Sequence, residues 1–295
     1  MTVEAQEPKP PALIGVVYNT SMNRPDAALA LAALYVASSR RDARVNGVCV
    51  TGSGFDAAVF CDIVARFYAG TPRAPSSNAA LPVGFPADTP DAPNPPIVEA
   101  AVKRTRPDGQ PQYARTIQRV SDTAAPDALL RNAITFSAES VVVLSAPATW
   151  VARSLALAGT PERYRERVKR IVIVEAGDLE RDQPAAKALF ASLPLSPVSV
   201  GRDVGDALAV SLARIQGRFT WTTTNPVADA LAAAGSSQVP LHDVAALHYA
   251  LYPDSGFFTV RGARLTVEPS KTDACADALI ALATSKPAAP PTRGG

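Results

Sequence analysis

The hydrophobic and polar positions near the start of the chain change pattern twice within about twenty residues. An apolar pair at positions 16–17 leads into a polar loop from Asn19 to Arg24, and an Ala- and Leu-rich helical pattern opens at Pro25 and Asp26. Proline is tolerated in a first helical turn because its missing N–H would have no helical partner there, and an acid complements the positive helix end. The pattern predicts strand, loop and helix, with the loop at the carboxyl end of the first strand, where open α/β sheets bind ligands.

The same order recurs along the chain. The segment NGVCVTGSGFDAAVFCDIVARFY predicts a strand from Val45 to Val50, a turn from Thr51 to Gly54 and a helix, and ESVVVLSAPATWVARSLAL repeats strand, turn and helix. Strands that alternate with helices predict an α/β fold with one mostly parallel, open sheet flanked by helices on both faces. We expect a single domain over residues 12–285, with mobile tails at 1–11 and 286–295.

The polar loop also carries a resemblance. Residues 19–26 read NTSMNRPD and are similar to the Asp-Thr-Asp-Pro-Gly-x-Asp-Asp signature of the inosine–uridine preferring nucleoside hydrolase family. The family's acids bind one calcium ion and supply the base that deprotonates the attacking water. Of the four acids only the last, Asp26, is retained. Residues 240–253, PLHDVAALHYALYP, resemble the family's His-Asp-x-x-Ala helix. RVKRIVIVEAG resembles one of its strands, residues 181–190, RDQPAAKALF, resemble its Asp-Pro-x-Ala-Ala helix start, and FFTVRGARLTVEP resembles its terminal hairpin. The matches follow the family order from Leu13 to Thr272.

The resemblance implies a nucleoside hydrolase-like fold, a nucleoside or ribose-like ligand and a set of site residues. In the family helix the Asp closes the calcium site and the His can protonate the leaving base, which gives Asp243 and His242 these roles. Asp26 and Asp243 are the expected metal ligands if a metal is bound, with a main-chain oxygen from Ser145, and Trp150 stands where the family has a ligand-facing Asn. The expected ligand-binding residues are Asn19, Ser21, Asp26, Ser145, Trp150 and His242.

Each of these residues also has a structural interpretation. Asp26 and Asp243 are acids in first helical turns, where they are favoured without any ligand, and His242 can be a surface neighbour of Asp243. We expect Trp150 to fill a smaller pocket rather than to stack on a base. His248, which lies further along the same helix, is expected to be structural.

The departures from the family pattern weaken the case for catalysis. The loop that holds the ribose in the family has no room between Val174 and Arg181. Calcium takes about six to eight oxygen ligands, with carboxylates setting its affinity, and only two carboxylates are found. The hydroxyl of Ser21 is too weak a base to replace a carboxylate at neutral pH, and Glu175 or Asp178 is the nearest acid that could act instead.

Three functions remain open on these grounds. The first is a catalytically degenerate protein that keeps the nucleoside hydrolase fold for binding or as a scaffold, with no cofactor. The alternative is an active, calcium-dependent N-ribosyl hydrolase that cleaves the N-glycosidic bond of nucleosides. The third is an unrelated α/β binding protein, for which the ordered matches would be coincidental. The sequence therefore leaves open whether the protein is an enzyme.

Composition argues against nucleic-acid binding, a membrane span and a cysteine metal site. With 29 basic and 27 acidic residues among 295, the net charge of +2 gives no electrostatic reason to expect nucleic-acid binding. The apolar runs are too short or too Ala-rich for a membrane span of about 20 residues. Cys49, Cys61 and Cys275 lack metal-binding spacing and are expected to be buried small hydrophobes. We expect a soluble protein, either cytoplasmic or exported after removal of a signal, and the resemblance is compatible with a homo-oligomer.

Overall fold

A computed structural model of the protein describes residues 13–69, 83–88, 92–176 and 195–289, together with the single residues 189, 191 and 193. The strands within these ranges are β1 Ile14–Thr20, β2 Ala43–Val50, β3 Val83–Gly84, β4 Ser140–Ser145, β5 Val168–Val174, β6 Val198–Val200, β7 Val210–Ser211, β8 Gln238–Val239, β9 Phe258–Arg261 and β10 Arg264–Val267. The helices are α1 Pro25–Ser39, α2 Phe55–Ala69, α3 Pro96–Val102, α4 Pro126–Thr135, α5 Thr149–Ala156, α6 Thr160–Arg167, α7 Arg202–Ala207, α8 Leu212–Gln216, α9 Pro226–Ala232, α10 His242–Leu251 and α11 Thr272–Thr284. Two short 3₁₀ turns lie at Val120–Asp122 and Pro269–Lys271.

Eight strands form the main sheet in the order β3-β2-β1-β4-β5-β6-β10-β9. All neighbours run parallel except β10 and β9, which pair as the predicted antiparallel hairpin. The chain moves from β1 towards β3 on one side and then returns to place β4 on the other side of β1. The strand order therefore reverses between β1 and β4, and such a switch point leaves a crevice at the carboxyl ends of the strands.

Alternate residues of the central strands face two separate cores. On one face, Val16 and Tyr18 of β1 and Val141 and Val143 of β4 belong to the larger core, which also includes residues of α1, α2, α10 and α11. On the other face, Val17 belongs to a smaller core with residues of α4, α5 and α6. A period of two with apolar residues on both faces requires a cover of helices on each side. The predicted mostly parallel sheet with helices on both faces is confirmed.

Helix α1 is the central helix of the larger core. Every residue from Asp26 to Ala37 is buried, and the helix packs against α2, α9, α10 and α11. A helix that is apolar on all sides must be enclosed by its neighbours, so the position of its first turn is fixed from all directions. Pro25 and Asp26 lie in that first turn, as the sequence predicts.

Some of the other predicted features lie within the described residues and some do not. Cys49, Cys61 and Cys275 are free and buried, as expected. The predicted helix start within 181–190 lies almost wholly outside the described residues, as does the predicted tail at 1–11. Of the second tail, residues 286–289 are described, and the Ala288 N–H donates to Ser39 Oγ at 2.8 Å. Among the helices that the structure describes, none has both the length and the hydrophobicity needed to span a bilayer.

Candidate functional site

The candidate site lies at the carboxyl ends of β1 and β4, at the switch point of the sheet. Thr20, the last residue of β1, pairs with Ser145, the last residue of β4. The loop that follows β1 turns sharply at Met22, whose φ of 53° lies in the left-handed region that side chains other than glycine rarely adopt. The Met22 N–H donates to Thr20 Oγ1 at 3.1 Å. This turn directs the chain towards Arg24 and the start of α1.

Arg24 has the central position among the polar groups of the site. Its Nη2 donates to Ser145 Oγ at 2.7 Å and also to Asp243 Oδ1. Its Nη1 donates to the main-chain carbonyl of Ala176 at 2.5 Å, and its Nε lies 3.4 Å from Asp26 Oδ1. The guanidinium thereby connects α1, the end of β4, the segment after β5 and the start of α10.

Asp243 is bound from several directions and is fully buried. In addition to Arg24, Ser145 Oγ donates to its Oδ1 at 2.6 Å, and the Tyr18 hydroxyl donates to its Oδ2 at 2.7 Å. The Asp243 main-chain N–H donates to Asp26 Oδ2 at 2.7 Å. Asp26 therefore accepts a hydrogen bond from the first turn of α10, and the two predicted acids are brought together as the resemblance implied.

Burial and charge act together on these groups. Burial raises the pKa of Tyr18 well above its ordinary value, and the Asp243 carboxylate raises it further. Burial, with the neighbouring Asp243, also raises the pKa of Asp26, while Arg24 and His242 act in the opposite direction. Burial by itself would lower the pKa of Arg24, but the charges of Asp243 and Asp26 hold it above the usual arginine range. Arg24 is therefore a permanent cation.

His242 lies at the edge of this cluster. Its Nδ1 is 4.0 Å from Asp26 Oδ2 and its Nε2 is 3.7 Å from Asp206 Oδ1. The side chain is buried, and neither ring nitrogen has a hydrogen-bond partner among the described residues. Gly205 packs against the ring so closely that a Cβ there would lie 2.1 Å from His242 Cδ2. The imidazole therefore occupies a tight slot between the carboxylates of Asp26 and Asp206.

The remaining predicted ligand residues have different roles. Asn19 is fully buried, accepts from Thr51 Oγ1 at 3.1 Å and has its amide nitrogen 3.5 Å from the Pro147 carbonyl, so it links the loops after β2 and β4. Ser21 is buried in the same loop. Ser145 makes its contacts in the cluster through its hydroxyl, whereas the resemblance assigned a main-chain oxygen.

Trp150 and the proposed acids beyond β5 lie further out. Trp150 is partly buried at the start of α5, and the Arg153 guanidinium lies 4.2 Å from the centre of its ring. Glu175 is partly exposed and lies 3.7 Å from Arg264. Asp178, the other acid considered as a base, lies outside the described residues.

The residues present do not fit the calcium ion that the resemblance implies. Calcium needs about six to eight oxygens around one point, and here the guanidinium of Arg24 lies between the two carboxylates that would supply charge. Asp243 Oδ1 is already bonded to Arg24 and Ser145. Across the described parts of the chain, no three His, Cys, Asp or Glu side chains converge in a way that could hold a metal ion.

Sequence reasoning did not identify Arg24 or Tyr18 as site residues. Tyr18 lies in an apolar strand, and nothing local shows that its hydroxyl reaches an acid on α10. Arg24 occupies the unspecified position of the family signature. A feature of the sequence that could have identified Arg24 is that residues 19–26 lack three of the family's acids and contain one arginine.

Comparison with known proteins agrees with this architecture. The sequence matches no protein-family model and no curated protein. The structure is similar to the inosine–uridine preferring nucleoside hydrolase of Bacillus anthracis, with a TM-score of 0.61, 13% identity and coverage of 92% of this chain and 99% of the other. It is also similar to the purine-preferring ribonucleoside hydrolase of Gardnerella vaginalis, with a TM-score of 0.62, 15% identity and coverage of 92% and 99%.

A third similar structure is the type III effector protein XopQ, which was solved in complex with adenosine diphosphate ribose. Its TM-score is 0.60, with 17% identity and coverage of 95% of both chains. Identities this low establish the fold alone. The chain therefore has the nucleoside hydrolase fold, and the resemblance read from its sequence is confirmed at that level.

Proposed function

We propose that this protein is a non-hydrolytic binding protein on the nucleoside hydrolase fold, with a ribose-containing small molecule as its ligand. The observation that carries the proposal is the engagement of the two remaining acids. The Asp243 N–H donates to the Asp26 carboxylate, and Arg24 donates to the carboxylates of both residues. Neither carboxylate is therefore free to deprotonate a water molecule. Asn19 and Ser21, at two positions where the family has acids, supply no base at neutral pH.

We infer the place of the ligand from a general property of this topology. Ligands of open α/β sheets bind in the crevice at the switch point, which here lies above β1 and β4. Trp150 lies in the first turn of the helix that follows β4, so its fluorescence should respond to a ligand bound at this edge. The adenosine diphosphate ribose bound by XopQ supports the choice of a ribose-containing ligand as the first to test.

The two tryptophans of the chain allow a test that also locates the ligand. Trp150 follows β4, whereas Trp221 packs against Phe67 and Tyr68 in the larger core. We expect adenosine diphosphate ribose, ribose or inosine to change the fluorescence of the Trp221→Phe variant, in which Trp150 is the remaining tryptophan. The matched Trp150→Phe variant should show no change on adding ligand. A response confined to Trp150→Phe would place the ligand elsewhere and contradict the proposal.

Hydrolysis is measured on the same samples. We expect no release of hypoxanthine from inosine by the wild type, with or without millimolar calcium. The alternative, an active metal-dependent N-ribosyl hydrolase, needs His242 as the acid for the leaving base, and His242 is buried between Asp26 and Asp206. Calcium-dependent release that is lost in His242→Ala would favour this alternative over the binding protein.

A further inference from the structure

The guanidinium of Arg24 has the surroundings of a bound cation. Four oxygens from four parts of the chain converge on it: a carboxylate from α1, a hydroxyl from the end of β4, a main-chain carbonyl after β5 and a carboxylate from α10. Oxygen atoms that converge from separate elements are the usual ligands of a hard metal ion. We propose that Arg24 is the resident cation of this site, so that the protein neither requires nor binds a divalent ion there.

The contacts of Arg24 argue against a side chain that swings aside for a metal. Its side chain is only 19% exposed. Its Nη1 donates to the main-chain carbonyl of Ala176, and a main-chain carbonyl does not move when a side chain changes rotamer. Planar guanidinium groups present donors in fixed directions, and here all three of its nitrogens are used. Displacing it would break these contacts together and would leave the buried carboxylates of Asp26 and Asp243 without their counter-charge.

The charges of the cluster show why a cation is needed. Asp26 and Asp243 are buried carboxylates within one hydrogen-bonded group, and two like charges in such a place repel each other strongly. Arg24 lies between them and opposes both. Without Arg24, the same oxygens would surround an uncompensated negative pocket, which a divalent ion could fill. The inference therefore predicts that removal of Arg24 creates a calcium site.

This inference concerns the site of the proposed function and rests on that assignment only for its location. Its test uses calcium and terbium alone, without any ribose-containing ligand. Calcium binding by the wild type would overturn the inference and leave ligand binding open. A wild type that binds neither calcium nor any of the three ligands would support the inference and refute the proposed function.

The experiment compares the wild type with Arg24→Ala. We expect the melting temperature of the wild type to stay the same in chelator and in millimolar calcium. Arg24→Ala should melt roughly 10 °C lower in chelator, because one partner of a buried ion pair has been removed, and calcium should restore part of this loss. Terbium emission sensitised by Tyr18, whose hydroxyl contacts Asp243, should appear in Arg24→Ala and be absent from the wild type.

Matched variants separate the cation site from general destabilisation. Arg24→Lys keeps the charge and should show no response to calcium, and Arg24→Ala combined with Asp26→Asn should lose the response because one carboxylate is neutral. Arg24→Met, which keeps most of the side-chain volume, replaces Arg24→Ala if that variant does not fold. A folded Arg24→Ala or Arg24→Met without any calcium response would overturn the inference. If neither folds, calcium titration of the wild type decides, since binding would contradict the inference and its absence would support it.

Discussion

We expect the buried imidazole of His248 to make the protein sensitive to acid. His248 lies near the end of α10, only 7% exposed, and its ring packs against Tyr252 and Phe257. Burial lowers its pKa from 6.5 to about 4. The unfolded chain therefore binds a proton at a higher pH than the folded chain does, so stability is lost as the pH falls from about 6.5 towards 4. We expect this loss to disappear in His248→Gln, which cannot titrate.

The magnitude follows from the two pKa values. At pH 5 nearly every unfolded chain has a protonated histidine at this position, whereas about one folded chain in ten does, which corresponds to a loss of about 2 kcal/mol relative to pH 7. For a domain of this size that loss lowers the melting temperature by about 5 °C. The surrounding cavity of about 710 Å³ is also lined by Arg40, Asp42 and Asp254, whose charges are the same in wild type and variant.

The assay is urea unfolding at pH 7 and pH 5 for the wild type and His248→Gln. The chain has only two histidines, and His242 is present in both proteins. Carboxyl groups such as Asp26 are also present in both proteins and cancel in the comparison. The reasoning would be refuted if His248→Gln lost as much stability as the wild type, or if the imidazole of His248 titrated near 6.5 by NMR.

Three further substitutions test single contacts. Gly205→Ala should cost about 1–3 kcal/mol and shift the imidazole NMR signals of His242, because a Cβ would lie 2.1 Å from the ring; unchanged signals would contradict the packing. Asp62→Asn should cost about 2 kcal/mol in urea unfolding, since this buried carboxylate accepts two backbone N–H bonds and one from an arginine, and a neutral effect would show that these bonds are dispensable. Tyr18→Phe should cost about 1–3 kcal/mol by leaving Asp243 with one donor fewer, and a stability equal to that of the wild type would argue against that bond.

Local patterns in the sequence were enough to predict the elements around the site. The change from an apolar strand to a polar loop and then to an Ala-rich helix placed β1 and α1, because each element is encoded by the spacing of its own residues. The hairpin of β9 and β10 was expected from the resemblance instead. The position of Asp243 in a first helical turn also follows from its immediate neighbours, since α10 begins at His242.

The contacts between side chains in the site were harder to predict from the sequence. The expectation that Asp26 and Asp243 belong to one site came from the resemblance, and in the structure the Asp243 N–H donates to Asp26. The sequence also showed that acids had been lost from the loop. It did not show what balances the charge of the two that remain, because a loop arginine is ordinarily solvated and nothing nearby marks this one as buried.

The sequence by itself therefore determined the alternation of strands and helices around β1, β2 and β4, the end of β1 at which the site is expected and the shortage of carboxylates there. Only the tertiary structure decided that Arg24 fills the space between the remaining acids. Its bonds reach Ser145, Ala176 and Asp243, which are 121, 152 and 219 positions away along the chain. Such contacts depend on how the parallel strands are ordered and on where α10 packs. A local pattern of residues does not encode contacts between positions so far apart in the sequence.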